Sequence, residues 1–206
     1  LLQAFANYPI YGFKNGANMN ITISPTDDPD DLFYGKYKSI HVKADSVISN
    51  KVKIKEFELL FENVQINIYD LLLNGRFILF NLEKLTPRGT IDFDDLEKSA
   101  AKAMKGKGEV QVTGSKNSLT IYAKYALSKD QIFEGETKVN VLMDPGKTIW
   151  PVFEYLKLGP LDIPILFIRR ITNAKINLYP TPGWPLETNI KSLNISPRKF
   201  EINPDI

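Results

Sequence analysis

The chain of 206 residues contains no cysteine and only one histidine, His41. The lack of cysteine excludes a thiol nucleophile, a thiolate metal site and a disulfide framework. A single histidine excludes zinc sites built on several imidazoles and also histidine acid–base pairs. A large net charge is lacking too, because 26 Lys and Arg side chains are balanced by 24 Asp and Glu side chains. We therefore expect no nucleic-acid partner, since such a partner requires a strongly positive surface.

Long apolar runs are also missing. The longest, Phe77–Phe80 and Ile163–Ile168, fall far short of the roughly 20 residues that a membrane-spanning helix needs. The first residue is Leu1 rather than Met, so we expect that an upstream signal or anchor segment has been removed. The length, the 43% hydrophobic content and the absence of a low-complexity linker predict a single domain over residues 1–206.

What the sequence does have is a long alternation of polar and apolar residues between Gly35 and Ile68. Apolar residues occupy alternate positions, which predicts a sheet with one wet and one apolar face. These residues are Ile40, Val42, Ala44, Ile48, Val52 and Ile54. A hairpin turn is predicted at Ser49-Asn50. The apolar residues change from even to odd positions at 55–56 and return to even positions at 62–63. Each of these parity slips indicates either a β-bulge or a tight turn.

The remaining pattern predicts strands around two helices. A helix is expected over Asp92–Lys105, because apolar residues recur at helical spacing and Gly106 follows. A second, shorter helix is expected over Ile149–Leu158. Pro87-Arg88-Gly89 is expected to break the strand before the first helix. The predicted fold class is therefore α+β, with long curved antiparallel sheet wrapped against one main amphipathic helix and a second shorter helix. Further strands are expected at 19–24, 109–113, 118–127, 137–143, 175–179, 189–195 and 199–202.

The charged clusters do not predict catalysis. The run at 27–31 lacks the spacing of a calcium loop and is typical of a solvated turn. The carboxylates at 92–95 stabilise the start of a helix. His41 lies on the wetter side of its strand, and no Gly-x-Ser-x-Gly motif presents a nucleophile. We therefore expect no enzyme activity, no catalytic residues, no metal site and no cofactor.

The apolar faces instead predict a groove. We expect it to be lined by side chains from the alternating strands, the helix stripe and two later strands: Ile40, Val42, Ile54, Phe57, Leu59, Phe61, Leu96, Ala100, Met104, Leu119, Ile121, Val139 and Val141. Aromatic and arginine residues further on are candidates for contact with a membrane or a lipid head group: Trp150, Phe153, Arg169, Arg170 and Trp184.

The order of these elements resembles the LmeA-like phospholipid-binding family of bacterial envelope proteins. The resemblance covers about residues 19–180. Its most specific parts are GTIDFDDL, at Gly89–Leu96, and the apolar run Leu161–Ile168, while Asn63–Leu72 (NVQINIYDLL) agrees in position. More remotely, the layout is similar to tubular lipid-binding folds, in which a curved sheet wraps a long helix. The family supplies no residue-by-residue motif for the site.

The resemblance implies an exported protein of the cell envelope, periplasmic or membrane-anchored, that binds phospholipid or another acyl-chain lipid. With the apolar faces it predicts non-catalytic binding or transfer of phospholipid. An anionic membrane surface is a further expected partner, because lysines lie on the wet face. The alternative is a structural or protein-interaction module of the envelope, in which the same alternation encloses a close-packed core.

Overall fold

Two antiparallel sheets contain most of the residues that this computed structural model describes. The described residues are 13–49, 52–76, 78–128, 130–144, 148–163, 176–177 and 190–204. The first, seven-stranded sheet (sheet A) contains β1 (Phe13–Ala17), β2 (Asn20–Pro25), β3 (Lys36–Ser49), β4 (Val52–Ile66), β5 (Leu79–Asp92), β12 (Leu193–Ile195) and β13 (Lys199–Ile202). The six-stranded sheet B contains β6 (Gly108–Ser115), β7 (Ser118–Ala126), β8 (Ile132–Asp144), β9 (Thr148–Leu158), β10 (Leu161–Ile163) and β11 (Ile176–Asn177).

The strand order follows the chain closely in each sheet. Sheet A has the order β1-β3-β4-β5-β13-β12, with β2 also paired to β3, and sheet B has the order β10-β9-β8-β7-β6, with β11 beside β9. The described helices are α1 (Ile68–Asn74), α2 (Phe93–Ala103) and a 3-10 helix (Pro29–Leu32). The predicted hairpin of β3 and β4 is confirmed by antiparallel pairing that extends to Ser49 and Val52. The single-domain prediction stays a prediction.

The predicted α+β arrangement around one main helix is wrong, because the described chain is mostly strand. Helix α2 has 11 residues and is therefore about 16 Å long. Strands β3 and β4 have 14 and 15 residues and extend for about 45–50 Å. A helix this short cannot cover strands of such length. Helix α2 instead lies mainly against β6 of sheet B.

The second predicted helix, Ile149–Leu158, is also wrong, because this segment forms most of strand β9. Its antiparallel partner is β8, which pairs with it from Thr148 to Leu158. β-branched and aromatic residues such as Val152 and Tyr155 favour pleated sheet once a neighbouring strand supplies hydrogen-bond partners. The aromatic content that indicated a helix in the sequence is equally typical of a strand.

Strand β5 runs through Pro87 without a break, so the predicted interruption is wrong as well. A proline is tolerated where its missing N–H leaves no ladder partner unsatisfied. Strand β13 pairs with β5 only from Gly89 onward, and the Pro87 carbonyl accepts a hydrogen bond from the Asn203 side chain. The proline therefore lies where the ladder with β13 has already ended.

Helix α1 was not predicted, although its ends carry clear sequence signals. The Asn67 side chain accepts a hydrogen bond from the backbone N–H of Asp70, as an N-cap does. Gly75 ends the helix in the left-handed conformation, with φ 66°. These seven residues turn the chain between β4 and β5 at one end of sheet A.

The two sheets meet where β5 leads into α2. The Phe93 side chain at this point is fully buried, and its backbone N–H donates to the carbonyl of Arg198. Gly114 of β6 lies so close to β12 that a Cβ atom would stand 2.1 Å from the carbonyl oxygen of Ser196. Only glycine permits this approach of the backbones. The start of α2 thus joins sheet A to sheet B.

Candidate functional site

One face of sheet A carries a continuous set of buried apolar side chains, which we call the apolar face. Cross-strand pairs build it, because β3 and β4 place Ile40 opposite Phe61 and Val42 opposite Leu59. The buried members are Tyr37, Ile40, Val42, Ala44, Val47, Phe57, Leu59, Phe61, Val64, Ile66, Leu71, Leu82 and Leu85. This set is the larger of the two apolar clusters in the described part of the chain.

The two parity slips are what keep these side chains on one face. Glu56 and Asn63 have φ of 50° and 48°, and β4 continues through both, so the structure has irregular strand residues there rather than turns. At Glu56 the pairing with β5 also shifts by one residue, as at a β-bulge. The bulge alternative of the sequence analysis is thus confirmed at 55–56.

Strand β3 slips at the same two levels, which the sequence analysis missed. The register of β3 with β4 is unchanged across the slip, because Ala44 pairs with Phe57 and Val47 pairs with Ile54. Val47 is buried, whereas Ile48 is exposed. The expected shared parity of Ile48 with Ile40 is therefore wrong. Adjacent polar residues mark both slips in β3, at 38–39 and 45–46, and could have revealed them.

A second apolar cluster lies between α2, sheet B and the strands β12 and β13 of sheet A. Its buried residues are Phe93, Val112 and Ile195, and the half-buried residues packed against them are Leu96, Val110, Leu119, Ile121, Val141 and Phe200. Glu97 ties α2 to β6, because its carboxylate accepts a hydrogen bond of 2.7 Å from the backbone N–H of Val112. The helix thus belongs with this cluster rather than with the apolar face.

The predicted groove residues divide between these two clusters. The apolar face holds one group, in which Ile54 is only partly buried: Ile40, Val42, Ile54, Phe57, Leu59 and Phe61. The second cluster holds another group: Leu96, Leu119, Ile121 and Val141. Val139 is buried on β8 opposite Phe153, and Ala100 and Met104 are half-buried on or just after α2. The structure does not bring all thirteen side chains into one lining, and the groove stays a prediction.

The predicted membrane-contact residues are mostly beyond the described part of the chain. Phe153 is half-buried in β9. Trp150 belongs to the same strand, but its side chain is not among those described. Arg169, Arg170 and Trp184 lie outside the described residues.

The opposite, wet face of sheet A carries a carboxylate held by several cations. Glu58 accepts a hydrogen bond of 3.0 Å from Nε2 of His41, and Nζ of Lys43 lies 3.2 Å away. Nη1 of Arg88 lies 3.6 Å from the other oxygen. Partial burial opposes ionisation of Glu58, but the hydrogen bonds from Lys43 and His41 lower the pKa of its carboxyl below the ordinary value. His41 thus lies on the wetter side, as predicted.

Other charged side chains form ion pairs between neighbouring segments of the fold. The side chain of Asp92, at the N-cap position of α2, pairs with Lys55 of β4 instead of capping the helix. Asp31, in the acidic run 27–31, pairs with Lys36 at 2.9 Å. No group of three potential metal ligands occurs in the described segments. The described helices include none that could cross a membrane.

The described residues form a two-sheet antiparallel β protein with a large buried apolar face on sheet A. Residues 30–199 match the sequence profile of the family described as LmeA-like phospholipid-binding, which covers most of the chain. The chain therefore belongs to the LmeA-like phospholipid-binding family, and the resemblance seen in the sequence is confirmed. No curated protein and no solved structure gave a significant match.

Proposed function

We propose that this protein binds phospholipid without chemical conversion, with the acyl chains along the apolar face of sheet A. Membership of a phospholipid-binding family supports lipid as the ligand. The observation that carries the location is the apolar face itself, which stays on one side of β3 and β4 through two slips in each strand. We further propose that the protein works in the bacterial cell envelope, after export, and transfers lipid there.

The dimensions of the apolar face suit acyl chains. Strand β4 has 15 residues and extends for about 50 Å. The hydrocarbon core of a bilayer is about 30 Å thick, so the chains of one leaflet need about 15 Å. Each methylene withdrawn from water stabilises the complex by about 0.8 kcal/mol. One face of β3–β5 therefore has the length to cover the tails of a phospholipid.

The polar face supports a role without catalysis. A general acid or base works best with a pKa near the working pH. Glu58, the hydrogen-bond partner of His41, is instead held ionised by Lys43 and His41, which lower the pKa of its carboxyl. Such a carboxylate is a weak base, and this arrangement suits an ion-pair network on a sheet surface.

The wet-face lysines give only limited support to an anionic membrane surface. Lys43 pairs with Glu58, Lys55 with Asp92, and Lys84 with Glu62. Each pairing reduces the positive charge that is free to attract an anionic lipid. The anionic surface thus stays a prediction, separate from the proposal that the acyl chains lie on the apolar face.

A close-packed protein core is the alternative explanation of the same face, because Ile40 and Phe61 are fully buried. Native mass spectrometry of the purified protein, followed by organic extraction, distinguishes the two functions. Lipid binding predicts a mass shift that matches an extracted phospholipid. A clean mass of the polypeptide alone, before and after incubation with phospholipid, would favour a structural or protein-interaction module.

The site within the protein is tested by Ala44→Trp. Ala44 is a small member of the apolar face and pairs with Phe57, so an indole ring there occupies space along the face. Displacing two or three methylenes should lower phospholipid affinity by about tenfold or more. Ala100→Trp is the matched control, because Ala100 is half-buried on α2, and lipid loading should be unchanged.

Folding is checked by circular dichroism and thermal unfolding. If Ala44→Trp does not fold, Ile54→Trp replaces it, since Ile54 is only partly buried at the border of the same face. Loss of lipid in Ala100→Trp, with normal loading in the apolar-face variants, would place the lipid at α2 and contradict the proposed location.

A further inference from the structure

Six large apolar side chains protrude into solvent at one end of sheet A, and we call them the apolar rim. They are Phe33, Tyr34, Tyr69, Leu72, Leu73 and Phe80, each between 63% and 80% exposed. Scattered exposed apolar residues are ordinary, but a contiguous group marks an interaction surface. The rim lies at the start of β5, and thus at the opposite end of that strand from α2 and the second sheet.

Backbone hydrogen bonds hold the three segments of the rim together. The N–H of Ile66 donates to the carbonyl of Gly35, which directly follows Tyr34, at 2.8 Å. The N–H of Asn67, which precedes α1, donates to the carbonyl of Ile78 at 2.8 Å. The ends of β3, β4 and β5 therefore meet here, and the rim residues belong to one end of the sheet.

Helix α1 shows most clearly that the rim faces outward. Its Leu71 is buried in the apolar face, whereas the neighbouring Leu72 and Leu73 are 75% and 80% exposed. This seven-residue helix packs on the apolar face through Leu71 and the partly buried Ile68, and it presents two other leucines to water. Such exposure of leucine is unfavourable in water and is relieved when the side chains enter an apolar medium.

We propose that the apolar rim docks this protein on the surface of a phospholipid bilayer. The inference rests on the proposed function and adds the place where lipid enters. Two features favour a bilayer as the occupant. The rim is continuous with the apolar face through Leu71, Ile66 and Leu82, so a lipid leaving the bilayer would meet apolar side chains directly. The aromatic members, such as Tyr34 and Tyr69, have the amphipathic rings that suit the boundary between head groups and acyl chains.

The charges beside the rim determine which bilayer it should prefer. Residues 27–36 carry four aspartates and one lysine, Lys36, which is already paired with Asp31. Residues 68–76 carry Asp70 and Arg76. Carboxylates outnumber cations, so attraction to anionic lipid does not drive docking. Docking by apolar insertion should therefore occur on neutral vesicles and depend little on salt.

The test is co-sedimentation of the protein with phosphatidylcholine vesicles. The rim variant replaces Phe33, Leu72 and Leu73 by serine. The control variant replaces Ile48, Leu127 and Leu142 by serine, three large apolar side chains that are exposed at separate places, near the end of β3, just after β7 and on β8. We expect the rim variant to lose vesicle affinity by about tenfold or more for each side chain that inserts, and the control to bind like the wild type.

A second measurement separates docking from lipid binding itself. Uptake of a short-chain phosphatidylcholine below its micelle concentration needs no bilayer, so the rim variant should take it up like the wild type. Failure of uptake by the wild type would refute the proposed function, whereas failure of vesicle binding alone would refute the docking surface. If the triple rim variant does not fold, the single variants Leu73→Lys and Phe33→Lys take its place.

Several results would overturn the docking proposal. The first is vesicle binding by the rim variant that equals that of the wild type. The second is a loss of vesicle binding by the control variant as large as the loss by the rim variant. Binding that requires phosphatidylglycerol and disappears with salt would indicate electrostatic adsorption instead. A wild-type dimer that ignores vesicles and becomes monomeric in the rim variant would assign the rim to a second copy of the chain.

Discussion

The left-handed backbone at Glu56 offers a sensitive test of how the apolar face is kept on one side of sheet A. Glu56 has φ 50°, in the middle of β4, and its carboxylate accepts a hydrogen bond of 3.3 Å from the Thr90 hydroxyl. A left-handed conformation costs an L-residue about 1–2 kcal/mol, and more when the side chain is β-branched. The substitutions Glu56→Gly and Glu56→Val therefore should differ strongly in stability.

The expected change in the free energy of unfolding follows from the backbone strain, the backbone entropy and the hydrogen bond to Thr90. Glycine removes the conformational cost of about 1–2 kcal/mol but adds about 0.5–1 kcal/mol of backbone entropy and loses a hydrogen bond of similar value. Glu56→Gly should therefore lie within about 0.5 kcal/mol of the wild type. Glu56→Val loses the same hydrogen bond and increases the strain, so it should be less stable than the wild type by about 2–3 kcal/mol.

Urea denaturation measures the free energy of unfolding of both variants. Lys53 provides the matched control, because it is exposed on the same strand and has no positive φ. There valine should be more stable than glycine by about 0.5–1 kcal/mol, since glycine weakens a regular strand. The order of the two residues should thus invert between positions 53 and 56. The same order at both positions would refute the assignment of Glu56 as the residue that absorbs the slip.

Two further predictions concern polar contacts. The Asn203 side chain is fully buried, accepts two backbone hydrogen bonds and donates one of 2.7 Å to the Pro87 carbonyl. Asn203→Ala should therefore reduce the free energy of unfolding, measured by thermal or urea unfolding, by about 3 kcal/mol. A loss below about 1 kcal/mol would contradict the role of this side chain in fixing β13 to β5. The pKa of the Glu58 carboxyl is lowered on folding, so its stabilisation is present above its unfolded pKa and is lost as pH falls through the lower folded pKa. Glu58→Gln should therefore be less stable than the wild type at pH 7, by a margin that shrinks as the pH falls towards 3, and a constant stability difference across this range would contradict the ion-pair explanation.

The sequence allowed a large part of sheet A to be predicted, because local alternation determines which side chains share a face. The slip at 55–56 was visible as two adjacent polar residues, Lys55 and Glu56. The matching slip in β3 was missed, since Asp45-Ser46 was treated as part of a continuing alternation. Only the pairing of β3 with β4 shows that both strands slip together and keep one register.

The arrangement of the helix and the second sheet could not be predicted in the same way. The apolar stripe of α2 indicates that one side is covered, but the stripe does not say which sheet covers it. The contact is fixed by long-range features, namely the close approach at Gly114 and the hydrogen bond between Glu97 and Val112. The strand β9 was mistaken for a helix because its identity depends on pairing with β8. The exposed leucines of α1 were overlooked because burial is not visible in a short apolar run.

Photo-crosslinking with a phospholipid that carries a diazirine on its acyl chain tests the central proposal most directly. The labelled peptides are identified by mass spectrometry after proteolysis. Binding along the apolar face predicts labels at the partly buried border of that face, at positions such as Ile23, Ile54 and Leu79, and competition by unlabelled phospholipid. Labels confined to α2 and sheet B, or no competed label at all, would contradict the proposed site.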